Sequence, residues 1–398
     1  VSTTVAQREK VHVARHYLDH ASTTPLRPEA RQAMAEAVDG GPLGDPGRLH
    51  AEGRRARVLL EDARAQVAEL AGVRPRQVVL TSSGTEAVNM AVWGATRRMP
   101  GGAVVLADVE HSAVRLASAR LAPTRTVPVS GTGRIEPAAV EEALQAAEAA
   151  GQAVALVHCQ LANHEVGTVQ PVAAVAEVCQ RHQVLLHVDA AAAAGRLAAR
   201  LDELGADLLS ISGHKLGAPT GTGILALRRG LRLEPLLVGG DQERARRAGM
   251  EDVVGAVGLG AVAAALADDN RRRAEAQAQR ALIDQASEAA LAVGGVTALG
   301  DRRPESSLPH LLCLSVAGVE AEPVLLALDQ SGVAVHSGSA CASESLAPSP
   351  VLAAMGVDAE HSLRLSVGWS STPADVAAFA AAFPAAVARL RALRSGTS

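Results

Sequence analysis

The sequence predicts an α/β fold: a large domain on a mainly parallel central sheet, followed by a smaller α+β C-terminal domain. Three observations lead there. Between about residues 57 and 228, short β-branched or leucine-rich runs alternate with alanine-rich stretches of helical periodicity, the pattern of βαβ units. From about residue 268 this alternation gives way to a long polar helix, residues 271–292, and then to mixed strands and helices. The chain, at 398 residues, is also too long for one ordinary core.

Taken in order, residues 77–80 read as a strand and 85–98 as the helix after it; 103–107, 154–158, 184–188, 208–210 and 223–227 continue as strands, with helices at 137–150 and 172–182 in the gaps. Ligands in open α/β sheets sit at the carboxyl ends of strands, so the residues just after these runs are where chemistry is expected. The apolar run at 253–267 is interrupted by glycines and too short to cross a bilayer comfortably. The Arg271-Arg272-Arg273 run adjoins Asp268 and Asp269 and reads as a solvated helix face.

Composition narrows the function. With 48% hydrophobic and 20% charged residues the chain can bury enough apolar surface to fold, and its net charge of −4, from 38 basic and 42 acidic residues, gathers neither nucleic acid nor anionic membrane. Cys159, Cys179, Cys313 and Cys341 form no paired framework and no C-x-x-C occurs, which fits a reducing cytosol. Residues 1–16 lack the apolar stretch of a signal peptide, so a cytoplasmic protein is expected. No metal site is expected: Cys179 and His182 share a helix face but no second pair joins them. A Walker loop is excluded because the only lysines are Lys10 and Lys215, and Gly221-Thr222-Gly223 lacks the third glycine of a dinucleotide fingerprint.

Four segments at strand ends survive. Thr81-Ser82-Ser83-Gly84-Thr85-Glu86 opens a helix, where free N–H groups and the helix dipole suit a phosphate, though the same run makes an ordinary N-cap. Asp189 follows an apolar strand and can keep a pyridine nitrogen protonated, or cap a helix. Ser210-Ile211-Ser212-Gly213-His214-Lys215 presents hydroxyls, imidazole and an amine at one strand end; Lys215 is suited to trap an aldehyde, Ser212 and His214 to bond a phosphate. Glu110-His111 places an imidazole where it can stack on a planar ring, or simply serve as a loop histidine. Together these groups describe a site for pyridoxal 5′-phosphate. A fifth segment, His336 to Ser343, is a loop of small residues carrying Cys341, read either as an accessible nucleophilic thiol or as a spare cysteine.

With these residues in view the chain resembles the NifS/IscS-type cysteine desulfurases, class V pyridoxal-phosphate enzymes of aminotransferase fold (fold type I). The similarity runs through Tyr17-Leu18-Asp19, Ala21-Ser22-Thr23-Thr24-Pro25, Ser83-Gly84-Thr85-Glu86, Glu110-His111, Glu165-Val166-Gly167, Ser212-Gly213-His214-Lys215, residues 239–247, Ser337-Gly338-Ser339-Ala340-Cys341 and Arg364-Leu365-Ser366. The resemblance implies a cofactor domain of residues 22–268, with 1–21 and 269–398 in the small domain. It implies that Lys215 bonds the cofactor and moves protons, Asp189 pairs with the pyridine nitrogen, and His111 stacks on the ring. Gly84, Thr85, Ser212 and His214 would hold the phosphate, His164 would touch cofactor and substrate, and Arg364 would take the substrate carboxylate. Cys341 would take sulfur from L-cysteine, leave L-alanine, and pass a persulfide sulfur to an acceptor protein for iron–sulfur or thio-cofactor assembly, in a homodimer. Other class V chemistry (selenocysteine or cystine lyase, aminotransfer) and a weakened scaffold homologue are the alternatives. Three positions depart from the family pattern: His164 stands where it has asparagine, Ala192 where it has glutamine, and Met250 where it has a threonine that reaches a partner subunit's phosphate.

Overall fold

The computed structural model describes residues 14–337 and 349–395; Cys341 and Lys10 lie outside them. Its strands are β1 (His16–Tyr17), β2 (Val78–Thr81), β3 (Ala103–Ala107), β4 (Thr124–Val127), β5 (Val154–His158), β6 (Leu185–Asp189), β7 (Leu208–Ser212), β8 (Gly223–Leu227), β9 (Val296–Leu299), β10 (Leu311–Val316), β11 (Val333–Ala334), β12 (His336–Ser337) and β13 (Ser362–Ser366). Seven form one sheet in the order β2-β8-β7-β6-β5-β3-β4. The pairs from β7 to β4 are parallel, and β8 runs antiparallel to both β2 and β7. The exception follows from connection length: β7 and β8 are joined through one short helix, Gly213–Leu216, too little chain for a parallel crossover. Strands β3, β5, β7 and β8 are buried along their whole length, as expected of a sheet covered on both faces.

The expected strands form, with shifted ends. The run read as 184–188 extends to Asp189, and that read as 208–210 extends to Ser212, so both residues end strands rather than follow them. Strand β4 was not among the strands expected from the sequence. In its Thr-Arg-Thr-Val only Val127 is buried, because the strand lies at the sheet edge, where no apolar run is needed.

The glycine-interrupted run is a helix, Val253–Ala267, packed on Pro28–Asp39 and Ala51–Leu70. Its glycines allow the approach: a Cβ at Gly258 would lie 2.8 Å from Met34 Sδ, and one at Gly260 2.8 Å from Ala63 Cα. Antiparallel β12-β13-β10-β9 form a second sheet. Its core of Leu312, Leu314, Leu363, Leu365, Phe379 and Phe383 also takes in Leu18 from the start of the chain, since β1 pairs in parallel with β11. The helix Pro373–Ser395 is long and apolar enough by composition to span a membrane. Here its Val376, Phe379, Phe383 and Val387 are buried in this second core.

Candidate active site

A cavity of about 250 Å³ opens at the carboxyl ends of β6 and β7 and is lined by Gly84, Thr85, His111, His164, Asp189, Ser212, His214, Lys215 and Arg364. The structure therefore brings together every expected site residue that it describes; Cys341 lies outside the described residues. Of the departures, His164 and Ala192 line the same cavity. Met250 does not; it is 65% exposed beside a separate small cavity with Arg247 and Glu243.

Each wall has a local cause. Ser83, in extended conformation, caps the helix Gly84–Arg98 by accepting the Glu86 N–H at 3.1 Å. Glu86 in turn accepts from the Ser82 N–H and hydroxyl at 2.7 and 2.6 Å and from Arg247 Nε at 2.9 Å. The N-cap reading thus holds for Ser83, while Gly84 and Thr85, the first helical residues, line the cavity with N–H groups for which the helix itself provides no acceptor. A Cβ at Gly223 would lie 2.5 Å from the Ser83 carbonyl carbon, and one at Gly84 3.0 Å from Ser212 Cβ. Gly221-Thr222-Gly223 is therefore a close-approach point that sets the helix start against β7, and no nucleotide fingerprint.

Asp189 ends β6 opposite Ser210 of β7. Its Oδ1 accepts the Ser210 hydroxyl and the Ala191 N–H, both at 3.0 Å, which fixes the carboxylate plane. Lys215 sits in the short helix Gly213–Leu216; its carbonyl accepts from Arg196 Nη1 at 2.8 Å. His214 Nδ1 lies 3.2 Å from Thr23 Oγ1, and the Thr24 N–H donates to the His214 carbonyl at 3.0 Å, so the start of the chain braces the lysine helix.

His111 caps the helix Ser112–Leu121, its Nδ1 accepting the Ala113 N–H at 3.1 Å, which puts the ring proton on Nε2. It meets His164 edge to face, centroids 5.0 Å apart. Burial, then the charge of Lys215, lowers His164 to about 3, and burial together with His164 and Lys215 lowers His111 as well. Both rings are neutral near pH 7, the state suited to stacking on an aromatic system. Asn163 presents His164: its Oδ1 accepts the Glu165 and Val166 N–H groups at 2.9 Å each, and its Nδ2 donates to the Val109 carbonyl at 3.0 Å.

Arg364, on β13, is 1% exposed. Nη1 donates to the His164 carbonyl at 3.1 Å, and Nη2 to Ser22 Oγ at 2.7 Å and Asp19 Oδ1 at 3.1 Å. Its Nε has no partner although buried, an unspent donor beside the cavity. Asp19 and Ser22 had no expected task; their only signal in the sequence was membership of the motifs that carry the resemblance. Glu165, in one of those motifs but given no role, is another: its Oε2 accepts the Ser349 hydroxyl at 2.5 Å and its Oε1 lies 3.5 Å from His164 Nε2. Burial raises that carboxyl to about 7.

These groups fit pyridoxal 5′-phosphate: an amine for its aldehyde, a fixed carboxylate for its ring nitrogen, a neutral imidazole for its face, and helix-start N–H groups with a hydroxyl for its phosphate. Among the described residues no cluster suited to a metal ion occurs.

Comparison with known proteins agrees with this geometry. The aminotransferase class-V family model matches residues 16–379. The chain is 39% identical over 388 residues to an IscS-like cysteine desulfurase of Mycobacterium tuberculosis, covering 94% of this chain and 97% of that protein. It is 37% identical over 374 residues to the putative cysteine desulfurase IscS 1 of Bacillus subtilis, covering 91% and 96%. Among solved structures, a NifS-like protein of Rickettsia africae superposes with a TM-score of 0.83 at 26% identity, covering 94% of this chain and 99% of that one.

Proposed function

This chain belongs to the aminotransferase class-V family, alongside its NifS/IscS-type cysteine desulfurases, and from that premise we propose that it is a pyridoxal-phosphate-dependent cysteine desulfurase, converting L-cysteine to L-alanine and passing the sulfur to an acceptor protein. One observation carries the reading: Lys215, one of only two lysines in the sequence, lines the same cavity as Asp189, His111 and the buried Arg364.

When bound, the cofactor supplies an electron sink that makes the substrate's α-proton acidic and its carbon–sulfur bond labile. Lys215 would hold the cofactor through its amine, and the same amine would take up the substrate's α-proton and return it. Asp189, its plane set by Ser210 and the Ala191 N–H, would pair with the ring nitrogen. His111 would cover the ring as a neutral imidazole, and Gly84, Thr85, Ser212 and His214 would hold the phosphate. Arg364, oriented by Asp19 and Ser22, anchors the substrate carboxylate, and His164 bounds the same corner. Low exposure around Arg364 and His164 strengthens these contacts by excluding water.

Cys341 is the sulfur acceptor in this reading. Its thiolate attacks the substrate sulfur, a sulfur–sulfur bond forms as the carbon–sulfur bond breaks, the electron pair stays on carbon, and protonation there yields alanine. Of the flanking described residues, His336 is the register partner of Arg364, and Ser349 bonds Glu165, which lies against His164. The proposal takes the enzyme as a cytoplasmic homodimer, with exposed Leu237, Val238 and Met250 offering apolar surface to a second copy.

The test is alanine release from L-cysteine by the protein reconstituted with pyridoxal phosphate. Lys215→Ala is expected to lose both the visible absorbance of the bound cofactor and turnover. Cys341→Ala is expected to keep the absorbance and lose sulfur transfer. A colourless wild type rejects the cofactor reading, and full turnover by Cys341→Ala replaces desulfuration with lyase chemistry.

A further inference from the structure

Beneath the Asp189 end of β6 the sheet carries two histidines that the proposed reaction does not use. His158 on β5 and His187 on β6 are register partners, 2% and 0% exposed. They meet Nδ1 to Nδ1 at 2.8 Å, with rings edge to face and centroids 4.9 Å apart. Such a contact is attractive only when one ring donates and the other accepts, so a single proton lies between them. Burial keeps both rings neutral, lowering His187 to about 4 and holding His158 well below the usual imidazole range.

The chain of bonds can run two ways. In one, the Ser118 hydroxyl donates to His158 Nε2, 3.4 Å away, His158 Nδ1–H donates to His187 Nδ1, and His187 keeps its proton on Nε2. In the other every donor becomes an acceptor, and His187 Nε2 is a bare lone pair. That nitrogen is buried and has no hydrogen-bond partner, so hydrogen bonding at that end does not decide between the two. His187 and Asp189 are two residues apart on one strand, on the same face of the sheet and roughly 7 Å apart along it. Only the direction Ser118 to His158 to His187 leaves an N–H on Nε2, the nitrogen of the pair that no other side chain engages.

We propose that His187, oriented by His158, is a positioning residue for Asp189: its Nε2–H dipole supports the carboxylate from inside the sheet, while Ser210 and the Ala191 N–H hold Oδ1 from the sides. The inference rests on the reading of Asp189 as the partner of the cofactor's ring nitrogen. It assigns a task to the buried pair behind the site.

Nitrogen-15 NMR of the full chain carrying labelled histidine, before cofactor is added, reads the ring protons directly. The expected result is His187 protonated on Nε2, His158 protonated on Nδ1, and a shift of the His187 resonances in Asp189→Asn. A bare His187 Nε2, or His187 resonances unmoved by Asp189→Asn, overturns the proposal. In a second arm, His187→Phe fills the space without an N–H. Its affinity for pyridoxal phosphate is expected to fall roughly three- to tenfold, with a shifted absorbance band, and His187→Gln, whose amide N–H replaces Nε2–H, recovers both. A folded His187→Phe with wild-type affinity and absorbance also overturns it. If wild type itself binds no cofactor while the NMR result stands, the functional reading fails and the support of Asp189 by the histidine pair remains.

Discussion

Replacing Glu110 by glutamine should remove a pH-dependent loss of stability. Glu110 is wholly buried; its Oε1 accepts the Gln160 N–H at 2.7 Å, and its Oε2 has no partner. Burial, with the nearby Asp189 charge adding to it, outweighs the Gln160 bond and pushes the carboxyl from 4.5 up to about 8. Between those values the folded chain keeps a proton that the unfolded chain has released. Stability from this group is therefore fully present below the unfolded value, falls by about 1.4 kcal/mol per pH unit through the window, and levels off above the folded value. Glutamine keeps an acceptor for the Gln160 N–H and does not titrate. At pH 5 the Glu110→Gln protein should be about 1 kcal/mol less stable than wild type, because its amide N–H group is buried without a partner. By pH 8 the balance should have moved by roughly 3 kcal/mol in its favour. Urea unfolding of both proteins without cofactor, at pH 5, 6, 7 and 8, measures this. Subtracting one curve from the other cancels the remaining titrating groups, Glu165 included. A difference that stays flat across the four pH values refutes the reasoning.

Two further outcomes are expected from buried arginines. Arg64 and Glu243, 1% and 3% exposed, share two bonds of 2.6 Å, and Glu243 also accepts the Leu80 N–H from β2. Arg64→Met strands the Glu243 charge and should cost about 3–5 kcal/mol in urea unfolding, with part recovered on adding Glu243→Gln. Arg364→Lys keeps the charge but cannot bond Ser22, Asp19 and the His164 carbonyl together; the KM for cysteine should rise roughly ten- to hundredfold with cofactor affinity little changed, read by steady-state alanine release and absorbance titration.

Much of the site was legible because chemistry at strand ends is a local property. Lys215, Ser212 and His214 share one hexapeptide, Asp189 closes an apolar run, and Gly84-Thr85 opens a helix, so each could be placed before any tertiary contact was known. Arg364 was legible only through resemblance. It lies within a strand of the second sheet, and nothing near it in sequence distinguishes it from the many other arginines. The departures at His164, Ala192 and Met250 were visible as residue types, but only the structure separates the two that line the cavity from Met250, which does not.

By itself the sequence determined the α/β alternation, the strand ends that carry functional groups and the scarcity of lysine that singles out Lys215, because periodicity and composition act over a few neighbouring residues. Only the tertiary structure decided which side chains share a low-dielectric space. It put Asp19 and Ser22 on Arg364, Ser349 on Glu165, Glu243 on Arg64, and His187 against His158. Each of those pairings joins segments distant in sequence, and their charge states follow from a burial that no local pattern encodes.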